Sequence, residues 1–467
     1  MESQNKFQVS RRTLLKDTAI GAAGVSTMGI ADIASAATKK PAKKAHKAPT
    51  AQIRNFDMIE AFYANYPKKL AAVRSKLNRP LTLSEKILYT HLYDPEAVKE
   101  YKRGASYAEF RPDRAGTHDI GGPMAILQFM VSGKKKIALP AAMVCDHLVT
   151  ANAGARKDIA FADHYNKETY DFLRTVSRRY GFDFWPAGSG ICHQVFLENY
   201  DFPGGMMLVT DSHTPTACGL GMLAIGVGGA DLVDALMGSE WELKMPKLIG
   251  IKLTGKLQGW ASPKDVILRV AQILTTKGGT NCIIEYFGDG ANTISATGKA
   301  TIGNMGAEVG STTSVFPYDS HMKAYLKATN REAVADLADG VAKDLQADPE
   351  VYAHPEKYFD RVIELNLSEL KPLINGPVSP DAAMELDQVG DTFAKKNLPE
   401  NIEVALVGSC TNSSYEDFTR AASIVKQCLD KGVKIKTPLI VVPGSVRIRD
   451  DDRLRPLHRP VGSPHRR

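Results

Sequence analysis

Four short segments carry side chains able to move protons. Cys145-Asp146-His147 ends an apolar run, and Gly188-Ser189-Gly190-Ile191-Cys192-His193 lies further along. Asp211-Ser212-His213-Thr214-Pro215 follows a second apolar run, and Asn304 and Glu308 stand four apart, on one face if that segment is helical. An aspartate beside a histidine can fix the imidazole tautomer and its basicity, and histidine titrates near neutral pH. Each piece taken alone is more often a hydrogen-bonded turn than a catalytic group. Cys410, in the segment Val407-Gly408-Ser409-Cys410-Thr411-Asn412-Ser413, has three readings. It is a nucleophile if a helix start lowers its pKa, a metal ligand if other thiolates join it, or a small buried hydrophobe.

These residues need elements that bring them together. Residues 204–210 (GGMMLVT), 248–253 (LIGIKL) and 282–286 (CIIEY) are predicted strands, and residues 402–408 (IEVALVG) a buried strand delivering Cys410. Residues 226–236, 263–275 and 415–428 have helical patterns, with Ser262 as N-cap and Pro263 in the first turn. Alternation of strands and helices predicts an α/β protein of several domains with largely parallel sheets. In such sheets ligands sit at the carboxyl ends of strands, where the loops 211–213 and 409–412 fall. The glycine-rich stretch from Gly219 to Gly229 does not fit a dinucleotide fingerprint and is read as close packing into a helix.

The chain has 467 residues, a size for several domains. Its net charge of +7 belongs to its ends, since residues 38–50 hold five lysines and no acid and residues 446–467 seven arginines against three aspartates. Residues 51–445 are left at −3, which speaks against a nucleic-acid partner. No run is long and apolar enough for a membrane span, and six scattered cysteines exclude a disulfide scaffold. Residues 1–37, with Arg11-Arg12 before an apolar run and Ala34-Ser35-Ala36, resemble a twin-arginine signal peptide and predict export; cytoplasm or mitochondrial matrix is the alternative. Residues 38–54 read as a basic linker.

The segments DSHTP, CGLGMLAIGVGGAD, WELKMPKLIGIKLTGKLQGWASPKDVIL, NMGAEVGSTTSVFPYD and GSCTNSSYEDF resemble the aconitase family. LNRPLTLSEKIL, RPDR and CDHL are similar to its mitochondrial-type branch. The resemblance runs over about residues 55–445. It implies α/β domains around a cluster cleft, divided at 55–250, 251–390 and 391–445. It also implies a hydro-lyase that interconverts citrate and isocitrate through cis-aconitate, acting as a monomer on tricarboxylic acids. A [4Fe–4S] cluster held by three cysteines would act as Lewis acid. By the same resemblance Asp146 and His147 deliver a proton to the departing hydroxyl, while His193, Asp211 and His213 support acid–base chemistry. Asp211, Ser212 and His213 contact substrate, Asn304 and Glu308 lie near the cluster, Cys410 is the first cluster ligand and Asn412 lies beside it. Acid–base histidines paired with carboxylates suit reversible loss of water from a hydroxy-acid.

The sequence also departs from the family pattern. His118 stands where glutamine is usual and is expected to keep a substrate hydrogen bond, and Thr216 stands where asparagine is frequent. The C-G-P-C segment with the other two cluster cysteines, and the C-terminal swivelling domain that supplies a catalytic serine, are not found. Residues 446–467 therefore read as an aberrant basic tail, out of frame. This polypeptide by itself is expected to be inactive, the alternative being a non-catalytic binding or regulatory fragment.

Overall fold

The computed structural model describes residues 53–433 and 436–450. The leader, most of the basic linker and residues 451–467 lie outside them. A first sheet is built from β1 (Arg114–His118), β2 (Ala141–Val144), β3 (Asp183–Trp185), β4 (Met206–Val209) and β5 (Leu223–Gly226). All pairs are parallel and the spatial order is β3-β2-β1-β4-β5. That order reverses between β1 and β4, which opens a crevice at their carboxyl ends. β1, β2 and β4 are buried at every position, hence the unbroken small and apolar runs of β2 and β4; β1 carries Arg114, Thr117 and His118 among its buried residues. Gly116 lies in the centre of this sheet because a Cβ there would come within 2.3 Å of the Phe196 ring. The helix Cys192–Asn199 is thereby seated on β1, with its first residues at the crevice.

The second sheet is also parallel: β6 (Lys247–Thr254), β7 (Cys282–Phe287), β8 (Thr313–Val315) and β9 (Arg361–Asn366), in the order β8-β7-β6-β9. One continuous core, from Ile53 to Leu367, packs both sheets together. The expected boundary between residues 250 and 251 therefore falls inside β6 and inside shared packing. The helix Pro263–Leu274 starts as its sequence predicts, with Ser262 N–H and Oγ both donating to Asp265 at 2.7 and 2.8 Å.

The last described unit is a strand–helix–strand: β10 (Ala405–Val407), the helix Tyr415–Asp430, and β11 (Leu439–Val441), parallel to β10. Residues 402–408, expected to be a buried strand, are buried only at Gly408 and half-buried at Ala405 and Val407. Ile402, Val404 and Leu406 are exposed, because the pair β10–β11 has no further strand beside it among the described residues. Order also runs past Ser445. Val446–Arg449 forms a helical turn capped by Ser445, and Ile448 is buried against Phe418. The composition of residues 446–467 hid this, since one apolar side chain suffices to pin a single turn.

Candidate active site

Three strand ends meet at the crevice. β1 delivers His118 and Asp119, β2 delivers Cys145-Asp146-His147, and β4 delivers Asp211-Ser212-His213. His147 lies between two carboxylates, Nδ1 2.8 Å from Asp146 Oδ1 and Nε2 3.0 Å from Asp211 Oδ2. Hydrogen bonds to Asp146 and then Asp211 raise its pKa from 6.5 to about 10, so the ring is an imidazolium at neutral pH. Asp211 Oδ1 also faces His193 Nε2 at 2.8 Å and accepts the His213 N–H at 2.8 Å. Burial works against the Asp211 charge, but the hydrogen bonds from His147 and His193 outweigh it and hold the carboxyl well below the usual range. The second Asp146 oxygen accepts the backbone N–H of Cys192 at 2.7 Å, tying the helix Cys192–Asn199 to β2.

His118 does not offer the free donor expected of it. Its Nε2 is 2.7 Å from the Thr210 carbonyl, and its Nδ1 accepts the backbone N–H of Ile120 and Gly121. Its ring stacks on His147 with centroids 3.9 Å apart. Burial, then the neighbouring His147, lowers its pKa, which keeps it neutral beside the imidazolium. Ser212 is exposed at the crevice mouth, and His213 sends Nδ1 to the Asn304 carbonyl at 3.0 Å.

Asn304 joins these loops to Cys410. It is fully buried; its amide donates to Thr216 Oγ1 at 2.8 Å and accepts from Thr411 Oγ1 at 2.8 Å, with the Cys410 sulfur 3.7 Å from the same oxygen. The helix Ala296–Asn304 ends at Asn304, so Glu308 sits on a separate turn, Ala307–Val309, and not on a shared helical face. Its Oε2 is buried without a hydrogen-bond partner. Asn412 is turned to Asp417 Oδ1 at 2.8 Å, at the start of the helix Tyr415–Asp430. Sequence reasoning gave no role to Asp119, whose oxygens accept the N–H groups of His147 and Leu148 at 2.9 and 3.2 Å. It also missed Lys264, which shares the electrostatic surroundings of Glu308, Asp417 and Cys410. Their signals were an aspartate directly after His118 and a lysine in the first turn of a capped helix.

The comparisons decide the family. The profile described as "Aconitase family (aconitate hydratase)" matches residues 85–455. The chain belongs to the aconitase family. It is 53% identical over 405 residues to the aconitate hydratase, mitochondrial, of Gracilaria gracilis, covering 87% of this chain and 51% of that one. It is 52% identical over 387 residues to the protein of the same name in Saccharomyces cerevisiae (strain ATCC 204508 / S288c), covering 83% and 49%, and 52% identical to that of Schizosaccharomyces pombe (strain 972 / ATCC 24843), covering 83% and 48%. This aconitase-family chain thus spans about half the length of the curated relatives it matches. Their names are mitochondrial, which overturns the expectation of export by a twin-arginine signal in residues 1–37. No helix among the described residues is long and apolar enough to cross a membrane.

The family implies an iron–sulfur cluster, and such clusters are held by several thiolates. The chain has six cysteines, of which only Cys410 and Cys428 are part-exposed. Cys428 lies near the end of the helix Tyr415–Asp430, while burial pushes up the thiols of Cys145, Cys192, Cys218 and Cys282. Cys410 fits as one cluster ligand. The donor set on this aconitase-family chain does not fit a whole cluster.

Proposed function

We propose that the crevice is the acid–base side of an aconitate hydratase site, acting on citrate and isocitrate through cis-aconitate. The observation that supports this most is the imidazolium of His147 held between Asp146 and Asp211. In the forward direction the carbon–oxygen bond breaks and the hydroxyl takes the Nε2 proton of His147, leaving as water. The two electrons of the neighbouring carbon–hydrogen bond form the double bond. By family resemblance the base for that carbon-bound proton is a serine of the swivelling domain. Asp146 keeps Nδ1 protonated and the ring oriented, and Asp211 carries His193 on its other oxygen. Ser212 and His213 reach the crevice as donors for a substrate carboxylate, and His118, with both nitrogens engaged, supports His147 by stacking. In reverse, His147 takes a proton from the water that adds.

The 467-residue polypeptide by itself is inactive on this reading, because Cys410 stands without the further thiolates a cluster needs, and tricarboxylate binding is what remains. Mitochondria are the location that accords with its relatives' names. A chimera tests the chemistry. Residues 53–450 are fused to the remaining C-terminal half of the Saccharomyces cerevisiae relative, and cis-aconitate hydration is followed. Activity in the chimera, with a loss of about 10²–10⁴-fold in His147→Gln, is expected for a general acid. A His147→Gln chimera as active as its parent overturns the assignment. Substantial turnover by the 467-residue polypeptide by itself, after anaerobic treatment with iron and sulfide, overturns its inactivity.

A further inference from the structure

The helix Gly122–Val131, GPMAILQFMV, carries no charge. Its inner stripe, Ala125, Ile126 and Phe129, shares a core with Leu232 and Leu236 of the helix Gly229–Met237. Its outer face is apolar too. Met124 is 63%, Leu127 47% and Val131 88% exposed, and their spacing of three and four puts them on one side. A helix that is apolar all round wants cover on both faces, and an exposed apolar stripe of this kind marks a contact with something else.

Cations stand at the end of that stripe. Residues 120–145 contain Lys134, Lys135 and Lys136, all exposed, and no aspartate or glutamate. Arg178 and Arg179 lie in the last turn of the helix Lys167–Tyr180. Arg179 donates to the Lys135 carbonyl at 3.2 Å, the Ile137 N–H donates to the Tyr180 carbonyl at 3.1 Å, and Phe129 meets Tyr180 edge-on at 5.3 Å. The lysine run and the arginine pair therefore form one patch. Asp171 of the same helix is taken by Lys167 and Arg174, so it neutralises neither arginine. Cations at a helix C-terminus also suit the dipole, but the dipole accounts for neither the lysine run nor the apolar stripe beside it.

We infer that this face docks on a bilayer surface that carries anionic phospholipid. Met124, Leu127 and Val131 enter the boundary between headgroups and acyl chains, and the five cations meet lipid phosphates. A ten-residue helix is about 15 Å long, so stripe and cations fit a single contact. Charge selects this occupant. A second copy of the chain, docked about a two-fold axis, would set these cations against their own counterparts. A nucleic acid would engage the cations and leave the apolar stripe in water. The helix starts beside the crevice, where the Gly121 N–H donates to His118 Nδ1, so docking holds the crevice near the membrane surface. The contact does not depend on the chemistry of the crevice.

The test uses the full 467-residue chain and vesicles of phosphatidylcholine with about 30% phosphatidylglycerol. The basic segments 38–50 and 446–467 attract such vesicles as well, so the readout must be local. Val131→p-benzoylphenylalanine is irradiated on the vesicles and its lipid adduct is compared with that of Val378→p-benzoylphenylalanine. Val378 is 100% exposed in the turn between the strands Leu373–Asn375 and Ala383–Glu385. The adduct at residue 131 is expected to exceed that at residue 378 by about fivefold or more, the worth of one cation at the surface. It should fall by about tenfold or more when Lys134→Gln, Lys135→Gln and Lys136→Gln are combined, and on vesicles of phosphatidylcholine alone. All these side chains are exposed, so folding is not at stake. Equal adducts at the two positions, or an adduct unchanged by the lysine substitutions, overturn the inference. So does preferential capture of duplex DNA at residue 131 when DNA and lipid are present at equal phosphate. Loss of the adduct in the chimera with the Saccharomyces cerevisiae C-terminal half would show that this half covers the stripe, and overturns it too.

Discussion

Replacing Asp146 by asparagine removes one of the two charges that keep His147 protonated, and nearly preserves shape. In the native site Asp146 accepts from His147 Nδ1 at 2.8 Å and from the Cys192 N–H at 2.7 Å. A carboxylate accepts on both oxygens, whereas asparagine has one acceptor and one amide donor. The substituted side chain therefore satisfies one of these donors and opposes the other. An adjacent opposite charge moves a pKa by about 1–3 units, and the Asp146 hydrogen bond is the largest contribution to a His147 value of about 10. The variant value should fall to roughly 7–9, with Asp211 supplying what remains. Chelator-treated protein labelled with ¹⁵N-histidine, and assigned by the loss of one signal in His147→Gln, gives the titration directly. Stability follows the same proton. A folded pKa raised above the unfolded 6.5 adds stability that is complete below about 6.5 and lost as pH rises towards about 10. Across that window one extra bound proton in the folded state gives a slope of about 1.4 kcal/mol per pH unit. The exposure of His147, 32% of its side chain, reduces what is realised. The upper part of the slope should vanish in Asp146→Asn, while other groups that titrate there cancel in the difference between the two proteins. A His147 that titrates near 6.5 in the native chain, or still near 10 in the variant, would refute this account of the crevice.

Asn304→Ala should cost about 2–4 kcal/mol, from two lost hydrogen bonds, the Thr411 hydroxyl left without its acceptor and a small void, while Thr216 keeps its bond to the His213 carbonyl. Chemical denaturation measures it, and hydrogen exchange should quicken in residues 409–412; protection equal to the parent's would show that the amide does not hold that loop. Gly116→Ala puts a Cβ 2.3 Å from the Phe196 ring and should cost about 1–3 kcal/mol by overpacking. Adding Phe196→Leu should recover part of the loss, and a Gly116→Ala chain as stable as its parent contradicts the seating of that helix on β1. Ser445→Ala removes the cap on the Ile448 N–H and the donor to Glu198 at 2.8 Å. It should loosen Val446–Arg449 by about 1–2 kcal/mol, seen as faster exchange there. Glu198, whose pKa burial already raises against the Ser445 hydrogen bond, should move further up. An unmoved Glu198 titration would mean the hydroxyl is not its partner in solution.

The parallel strands were legible because a sheet covered on both faces needs continuous apolar runs, and such runs stand out in MMLV and CIIEYF. The start of the helix Pro263–Leu274 was legible because its cap is chemistry local to Ser262, Pro263 and Asp265. The failures have one kind of cause, a partner distant in sequence. Residues 402–408 want burial, yet composition does not reveal what stands beside them. His118 displays a donor, yet only the fold shows it spent on Thr210. The spacing of Asn304 and Glu308 suits one helical face, but the helix ends between them, in a segment where Gly303 and Gly306 pack closely. The arginine pair at residues 11 and 12 carries no address of its own, and relatives named mitochondrial outweighed it.

The acid–base crevice and the Cys410 loop come from different sheets, so something must hold them in register. No ion pair crosses between them among the described residues. The connection is neutral: the Asn304 carbonyl takes His213 Nδ1, and its side-chain amide takes Thr216 on one side and Thr411 on the other. A buried neutral amide suits this place better than a charged link would. Any charge there would change the pKa of His147 and Asp211, on which the proton chemistry rests, and would repel or hold ions arriving near Cys410. Thr301, donating to the Thr411 carbonyl at 3.0 Å, fixes the same loop by the same neutral means. The crevice can thus keep its charges on His147, Asp146 and Asp211 while the cysteine loop is positioned by hydrogen bonds that carry none.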